Sequence, residues 1–245
     1  PFTTGTICAH RCQTKCSRNF YDESVRIRDT KLVAAERGYE ALMASIQKPA
    51  KVSGKKAAII GGRKALAAAE PQIRKAGEGS GIEITGTFWY GGEASRENMD
   101  MLRPQVADAD MIFAVGGGKA IDTCKVLAHA IGVPSAIVGT APSMDGYASN
   151  SSSMEVNHVK VSLYNHAPVG ILLDSEILAQ APMRMLWAGL GDMGAKYIAV
   201  CEWRISHIVT GEFYCESIAQ MMRSALKKIV DASDGITKRD PDAIQ

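Results

Sequence analysis

Apolar positions along this chain come in short uninterrupted runs, separated by longer stretches in which they recur at helical spacing. Residues 56–60, 83–89, 111–115 and 134–138 read as strands, and residues 65–74, 98–106 and 119–131 between them carry helix periodicity. Such alternation argues a parallel sheet with helices on both faces, a doubly wound α/β fold. Residues 140–157 are rich in Ser, Gly and Asn and read as a loop bounded by strands, followed by further strands over 159–163 and 169–174. Beyond Asp174 the pattern changes. Residues 182–206 and 212–232 are long helical patterns, with Ile218, Met221, Met222, Ala225 and Ile229 on one face, and residues 234–245 read as a linker between helices. This reads as the beginning of an all-helical second domain. Residues 1–50 are polar and irregular except for a helical stretch over 29–47.

Charge and composition narrow the classes. Net charge is +2 with 22% charged residues, which gives no basic face for nucleic acid. No apolar run approaches the about 18 residues of a membrane span, and no apolar signal core opens the chain, so a cytoplasmic protein is expected. The chain does not begin with Met, so its start reads as processed or cut. A small-molecule substrate is expected as partner, and a homo-oligomer is left open. Cys124, Cys201 and Cys215 sit singly and read as ordinary core or surface residues. Cys8, Cys12 and Cys16, with His10 between them, have a spacing that matches no common zinc site, and the plainer reading is a reduced segment.

The chemistry concentrates where the strand 111–115 runs into Gly116, Gly117 and Gly118, and a helix opens at Lys119. Glycines remove the Cβ atoms that would hold a phosphate off the backbone, and a helix N-terminus offers free N–H groups and partial positive charge. The usual fingerprints do not fit: G-x-G-x-x-G needs glycine where Ile121 stands, and the P-loop pattern needs glycine at Phe113 and Ser or Thr at Ala120. A tight turn without a ligand remains the other reading of the triplet. In sheets of this kind ligands bind beyond the carboxyl ends of the strands. Gly61 and Gly62, the triplet with Lys119, and residues 140–145 all fall at such ends.

Gly-Gly-Gly-Lys followed by Asp122 and Thr123 resembles the NAD(P)-binding loop of the superfamily of iron-containing alcohol dehydrogenases, glycerol dehydrogenases and dehydroquinate synthase. Two further segments match in order, residues 139–149 (GTAPSMDGYAS) and 181–192 (APMRMLWAGLGD). The Asp-Gly-x-Ala-Ser form of the first, and residues 206–215 (SHIVTGEFYC), resemble the glycerol-1-phosphate dehydrogenase branch. The resemblance runs from about Lys55 to the end. It implies a dehydroquinate synthase-like fold, with an extension over 1–50, a dinucleotide-binding α/β domain over 51–178, and the start of a helical metal and substrate domain over 179–245. The implied activity is metal-assisted, NAD(P)-dependent reduction of dihydroxyacetone phosphate to sn-glycerol 1-phosphate. A glycerol or other polyol dehydrogenase, and a nucleotide-binding fragment without catalysis, stay open beside it.

Site residues follow from the match. Gly116, Gly117, Gly118 and Lys119 form the cofactor loop, and Thr140 and Ser143 lie against the cofactor. Asp122 orients cofactor or loop, or is an ordinary first-turn carboxylate favoured by the helix dipole. In NAD-preferring relatives an acidic residue closes the first strand, where this chain has Gly62 followed by Arg63 and Lys64. That favours NADP slightly over NAD, since an acidic group would repel a 2′-phosphate. Asp145 is expected to face substrate hydroxyls, with an Asx-turn role as the alternative. Asp192 matches a ligand of the superfamily's zinc or iron, with an ion pair to Lys196 at i+4 as the other reading. No histidine stands at i±3 or i±4 from Asp192, His207 lies roughly 22 Å along a continuous helix, and His158 and His166 match no motif. The expectation is therefore a chain cut short before two histidine ligands.

Overall fold

The structure is a computed structural model that describes residues 16–20, 22–45 and 54–244. Cys8, His10 and Cys12, and the end of the helix expected over 29–47, lie outside the described residues. The chain divides into two compact units, Pro1–Ala50 with Val200–Ser224, and Lys51–Ala199 with Ala225–Gln245.

The second unit holds the sheet. Its strands are β1 (Lys56–Gly61), β2 (Glu83–Trp89), β3 (Met111–Gly116), β4 (Ser135–Gly139) and, after a hairpin of β5 (Ser151–Val156) and β6 (Val159–Tyr164), β7 (Gly170–Leu173). The order is β2-β1-β3-β4-β7, all parallel. Residues of β1 are buried from both sides, so the run Ala57–Ile60 shows no polar alternation, as a strand covered on both faces requires. Period-2 geometry still sorts the side chains. Ala58, Ile60, Ile112 and Ala114 point into a cluster with Leu102, Ile121, Cys124 and Leu127, from helices α3 (Arg96–Leu102) and α4 (Gly118–Ile131). Ile59 and Val115 point the other way, against Leu66 and Ala69 of α2 (Arg63–Ser80). The expected doubly wound sheet is therefore the observed one. The chain runs outward from β1 to β2 and returns past β1 to β3, and this reversal opens a crevice between the carboxyl ends of β1 and β3.

Two sequence expectations change. Residues 151–156, read as part of one loop over 140–157, form β5, antiparallel to β6 through a turn in which Asn157 and His158 have φ of 51° and 62°. Ser-Ser-Ser-Met-Glu-Val carries no apolar alternation. It becomes a strand because Met154 and Ser152 are buried and α4 grips its backbone: Ser153 N–H donates to Asp122 at 3.2 Å and Lys125 Nζ donates to Ser151 O at 2.7 Å. Residues 234–245, read as a linker, are mostly helical. After α5 (Ser175–Ala179) and α6 (Met183–Thr210), α7 runs from Glu216 to Thr237 and a short α8 covers Pro241–Ile244. Ile236 and Ile244 pack on Ala141, Ala181 and Leu186, while Arg239 donates to the carbonyls of Ala179 and Ala181 at 2.7 Å. Tertiary burial thus outweighs the Gly235 signal, while Pro241 stands at the first position of α8, where proline is tolerated.

The first unit contains α1 (Ile27–Ser45) and the segment where Trp203 Nε1–H donates to Phe213 O at 2.8 Å. Among the described residues no helix is long and apolar enough to cross a membrane.

Candidate functional site

Four strand ends, those of β1, β2, β3 and β4, meet in one cleft of about 950 Å³. Its floor is the β3–α4 turn. Gly116 has φ of +147°, a conformation that L side chains rarely adopt, and a Cβ there would stand 3.2 Å from Ala120 Cβ. Gly117 caps α4 with no side-chain hydrogen bond, so the first N–H groups of the helix face the cleft without an internal acceptor. Backbone bonds fix the turn against its neighbours: Thr140 N–H donates to Gly116 O at 3.2 Å and Gly62 N–H to Val115 O at 3.3 Å. Gly62, Gly116, Gly117, Gly118, Lys119, Thr140 and Ser143, all picked out from the sequence, line this one cavity.

The lining carries Arg63, Lys64, Lys119 and Arg184 and no carboxylate. Charge of one sign between low-dielectric walls attracts an anion. Lys119 is already engaged, with its Nζ 2.7 Å and 2.5 Å from the two oxygens of Glu93. Arg63 lies over the Trp89 ring, its guanidinium carbon 4.6 Å from the ring centre. Trp89, Tyr90, Glu93 and Arg184 were not picked out from the sequence. Trp89 and Tyr90 follow the same strand-end rule at β2, but the link from Glu93 to Lys119 spans 26 positions and leaves no local trace.

Asp122 is absent from the cleft lining and turns towards the hairpin. Burial raises its pKa, while Lys125 and the Ser153 N–H oppose the rise. Lys125 is 1% exposed, with Nζ 3.8 Å from Asp122 and donating to Gly146 O at 3.3 Å. Burial lowers its pKa, and Asp122 counters. The pair therefore braces the segment after β4. Tyr147 anchors the same segment by donating to Ala141 O, and burial pushes its phenol up to about 12.

Asp145 and Asp192 come together. Asp145 N–H donates to Asp192 Oδ2 at 2.9 Å, and Lys196 Nζ stands 3.1 Å from Asp145 and 3.6 Å from Asp192. Burial alone would lower the Lys196 pKa, but the two carboxylates outweigh it and raise it. Asp192 thus makes the i+4 ion pair that its spacing allowed. Helix and loop touch tightly here, since a Cβ on Gly189 would sit 1.9 Å from Pro142 O. Among the described residues no three His, Cys, Asp or Glu side chains are grouped to hold a metal. His158 lies in the hairpin turn 3.3 Å from Glu155, His166 packs against His129, and His207 Nδ1 is 2.6 Å from Glu212 O in the other unit. The described residues do not fit a metal centre at Asp192. Cys124 is buried, Cys201 is exposed and Cys215 partly so.

The family model of iron-containing alcohol dehydrogenases matches residues 31–182, more than half of the chain. The chain belongs to this family. A protein of Bacillus licheniformis named glycerol-1-phosphate dehydrogenase [NAD(P)+] is 36% identical over 138 residues, which are 56% of this chain and 34% of that protein. One of the same name from Thermoplasma volcanium is 32% identical over 157 residues, 63% of this chain and 45% of its own. The chain thus spans between a third and a half of these curated relatives. The crystal structure of glycerol dehydrogenase from Schizosaccharomyces pombe superposes with a TM-score of 0.64 at 21% identity, covering 86% of this chain and 56% of that one. That likeness establishes the fold, which is that of the family.

Proposed function

We propose that this chain forms the dinucleotide-binding part of an NAD(P)-dependent oxidoreductase acting on CH–OH groups, whose substrate is dihydroxyacetone phosphate and whose product is sn-glycerol 1-phosphate. One observation carries the reading. The crevice at the β1–β3 reversal is floored by three glycines at a helix N-terminus and lined by Arg63, Lys64, Arg184 and Lys119, of which Lys119 is paired with Glu93. A pyrophosphate needs close backbone approach, N–H donors and positive charge, and this cleft offers all of them. The name shared by the curated relatives supports the substrate.

In this reading Gly116, Gly117, Gly118 and the first turn of α4 hold the pyrophosphate. Lys119 adds charge by loosening from Glu93, and Thr140 and Ser143 offer hydroxyls from the next strand end. Gly62 leaves the ribose without a repelling carboxylate, which favours NADP modestly over NAD. A nicotinamide held there would supply or accept the hydride. Asp145, held by Lys196 and by its own N–H bond to Asp192, presents an acceptor to the polyol hydroxyls. Asp122 acts at one remove, by shaping the loop that carries Asp145. The described residues give Asp192 no companion ligands for a metal.

The test is NADPH-linked reduction of dihydroxyacetone phosphate against dihydroxyacetone, in the protein at its natural length. Clear preference for the phosphorylated ketone supports the assignment. Equal rates, or preference for the unphosphorylated ketone, would move the protein to the polyol dehydrogenases of the same family.

A further inference from the structure

Lys119 is the second residue of α4, in a first turn that holds no acidic side chain. A cation there stands against the helix dipole, whose N-terminal end favours anions. The chain brings it a carboxylate from elsewhere. Glu93, 26 positions back in the loop between β2 and α3, places both oxygens on the Lys119 ammonium, at 2.7 Å and 2.5 Å. Lys119 lines the cleft and Glu93 does not. Two of the three ammonium donors are thus engaged by a group outside the cavity lining.

The loop that delivers Glu93 is held on both sides. Gly91 and Gly92 have φ of +96° and +97°, and a Cβ on Gly91 would collide with the Asn98 side chain. That close approach lets Asn98 Nδ2 donate to Glu93 O at 2.9 Å, while Tyr90 OH donates to Gly92 O at 2.8 Å. Beyond Glu93, the Glu155 N–H donates to Ala94 O at 2.7 Å, and Ala94 and Ser95 are buried. A fixed backbone therefore presents this carboxylate to this lysine. The bond itself is weak. The Lys119 and Glu93 side chains are 56% and 60% exposed, so water competes for both, and such a pair is worth at most about fivefold in an equilibrium constant. A singly charged anion gains little over the carboxylate it would displace. A pyrophosphate brings a second phosphate to the N–H groups of the glycine floor and displaces Glu93 readily.

We infer that Glu93 is a competing carboxylate, which occupies Lys119 until a multiply charged anion takes its place and so lowers the affinity of the cleft for every phosphate-bearing ligand that engages Lys119. It acts as a specificity device against weakly charged anions. The inference rests on the dinucleotide reading of the cleft.

The experiment is calorimetric titration with inorganic pyrophosphate and with NADPH of wild type, Glu93→Gln, Glu97→Gln, Lys119→Met and the Glu93→Gln/Lys119→Met double variant. Glu93→Gln should bind both ligands about two- to fivefold more tightly. In the Lys119→Met background the same change should have little effect, because the cation it competes for is gone, so the two changes are not additive. Glu97→Gln removes an equal charge from the first turn of α3 and should leave both affinities unchanged. Weaker binding in Glu93→Gln would make the carboxylate a support that holds Lys119 for the ligand, and overturns the proposal, as does unchanged binding. An equal gain in Glu97→Gln, or the same gain with Lys119 absent, would reduce the effect to long-range repulsion and overturns it too. If Lys119→Met fails to fold, Glu93→Gln and Glu97→Gln, both surface changes, still decide. Wild-type protein that binds neither ligand would refute the reading of the cleft itself, an outcome distinct from an unchanged affinity.

Discussion

Replacing Lys125 by Met removes an ammonium and leaves a side chain of similar reach. Lys125 is 1% exposed and donates to Ser151 O at 2.7 Å and to Gly146 O at 3.3 Å, with Asp122 at 3.8 Å. The variant strips both carbonyls of that donor and leaves Asp122 with the Ser153 N–H and the Ser152 hydroxyl as its close partners. Breaking a buried pair from one side costs about 3–5 kcal/mol. The Asp122 side chain is 18% exposed and keeps some water, which places the expected loss near the lower end, about 3 kcal/mol. At the about 2–4 °C per kcal/mol of a chain this size, the melting temperature should fall by about 6–12 °C. The pH dependence gives a second check. Burial already holds the Asp122 carboxyl above 3.8, and losing the lysine raises it further. Between 3.8 and the folded value, the folded state binds more protons than the unfolded chain, so stability falls as pH rises through that window. The window is wider in the variant. The gap to wild type in urea melts should therefore narrow as the pH is lowered from neutrality. A variant within about 1 kcal/mol of wild type at neutral pH, or a gap that widens in acid, would refute the bracing role of the pair.

Gly189→Ala should destabilise by about 1–3 kcal/mol, since its Cβ would lie 1.9 Å from a backbone oxygen that no rotamer change can move, and a thermal melt measures it. An unchanged melt would mean that α6 does not lie on the Pro142 loop as described. Lys196→Ala should cost about 1 kcal/mol at neutral pH. The wild-type lysine has a raised pKa, so its contribution is full below 10.5 and is lost as pH rises through the folded value. Urea melts of the two proteins should accordingly converge in alkali, and a constant gap would argue against the Asp145 and Asp192 partnership.

The parallel sheet was readable because β1, β3 and β4 are buried from both faces and stand out as unbroken apolar runs between helical patterns. The floor of the cleft was readable for a related reason: a strand ending in glycines before a helix is a local signal. The hairpin was not. Ser151, Ser152 and Ser153 carry neither alternation nor branched side chains, and β5 exists through bonds from Asp122 and Lys125 on α4, about one sheet layer away in space but distant in sequence. Glu93 left no local signal either, because its partner Lys119 lies in the first turn of α4, 26 positions away. Asp122 shows the opposite difficulty. Its place one turn after the glycines left open an orienting role towards cofactor or loop and a plain first-turn carboxylate, and its side chain accepts from the Ser153 N–H of the hairpin. Asp145 and Asp192 were each legible as single candidates, while their meeting through Lys196 depends on how α6 crosses the loop after β4.

The central claim is that the β3–α4 turn is the phosphate floor of a dinucleotide site, and Gly117→Val tests it most directly. Gly117 has φ of −99° and ψ of −170°, extended backbone open to any residue, so the substitution adds no strain. A Cβ there meets only Ser143 Oγ, at 3.5 Å, so the fold accommodates it and the added atoms project into the cleft. NADPH titration of both proteins, followed by cofactor fluorescence, should show affinity at least about tenfold weaker in the variant, the size of one lost charge-assisted contact, with stability lowered only by the about 1 kcal/mol that a poorer N-cap costs α4. Equal affinity in the two proteins would contradict the account and remove the glycine loop from the site.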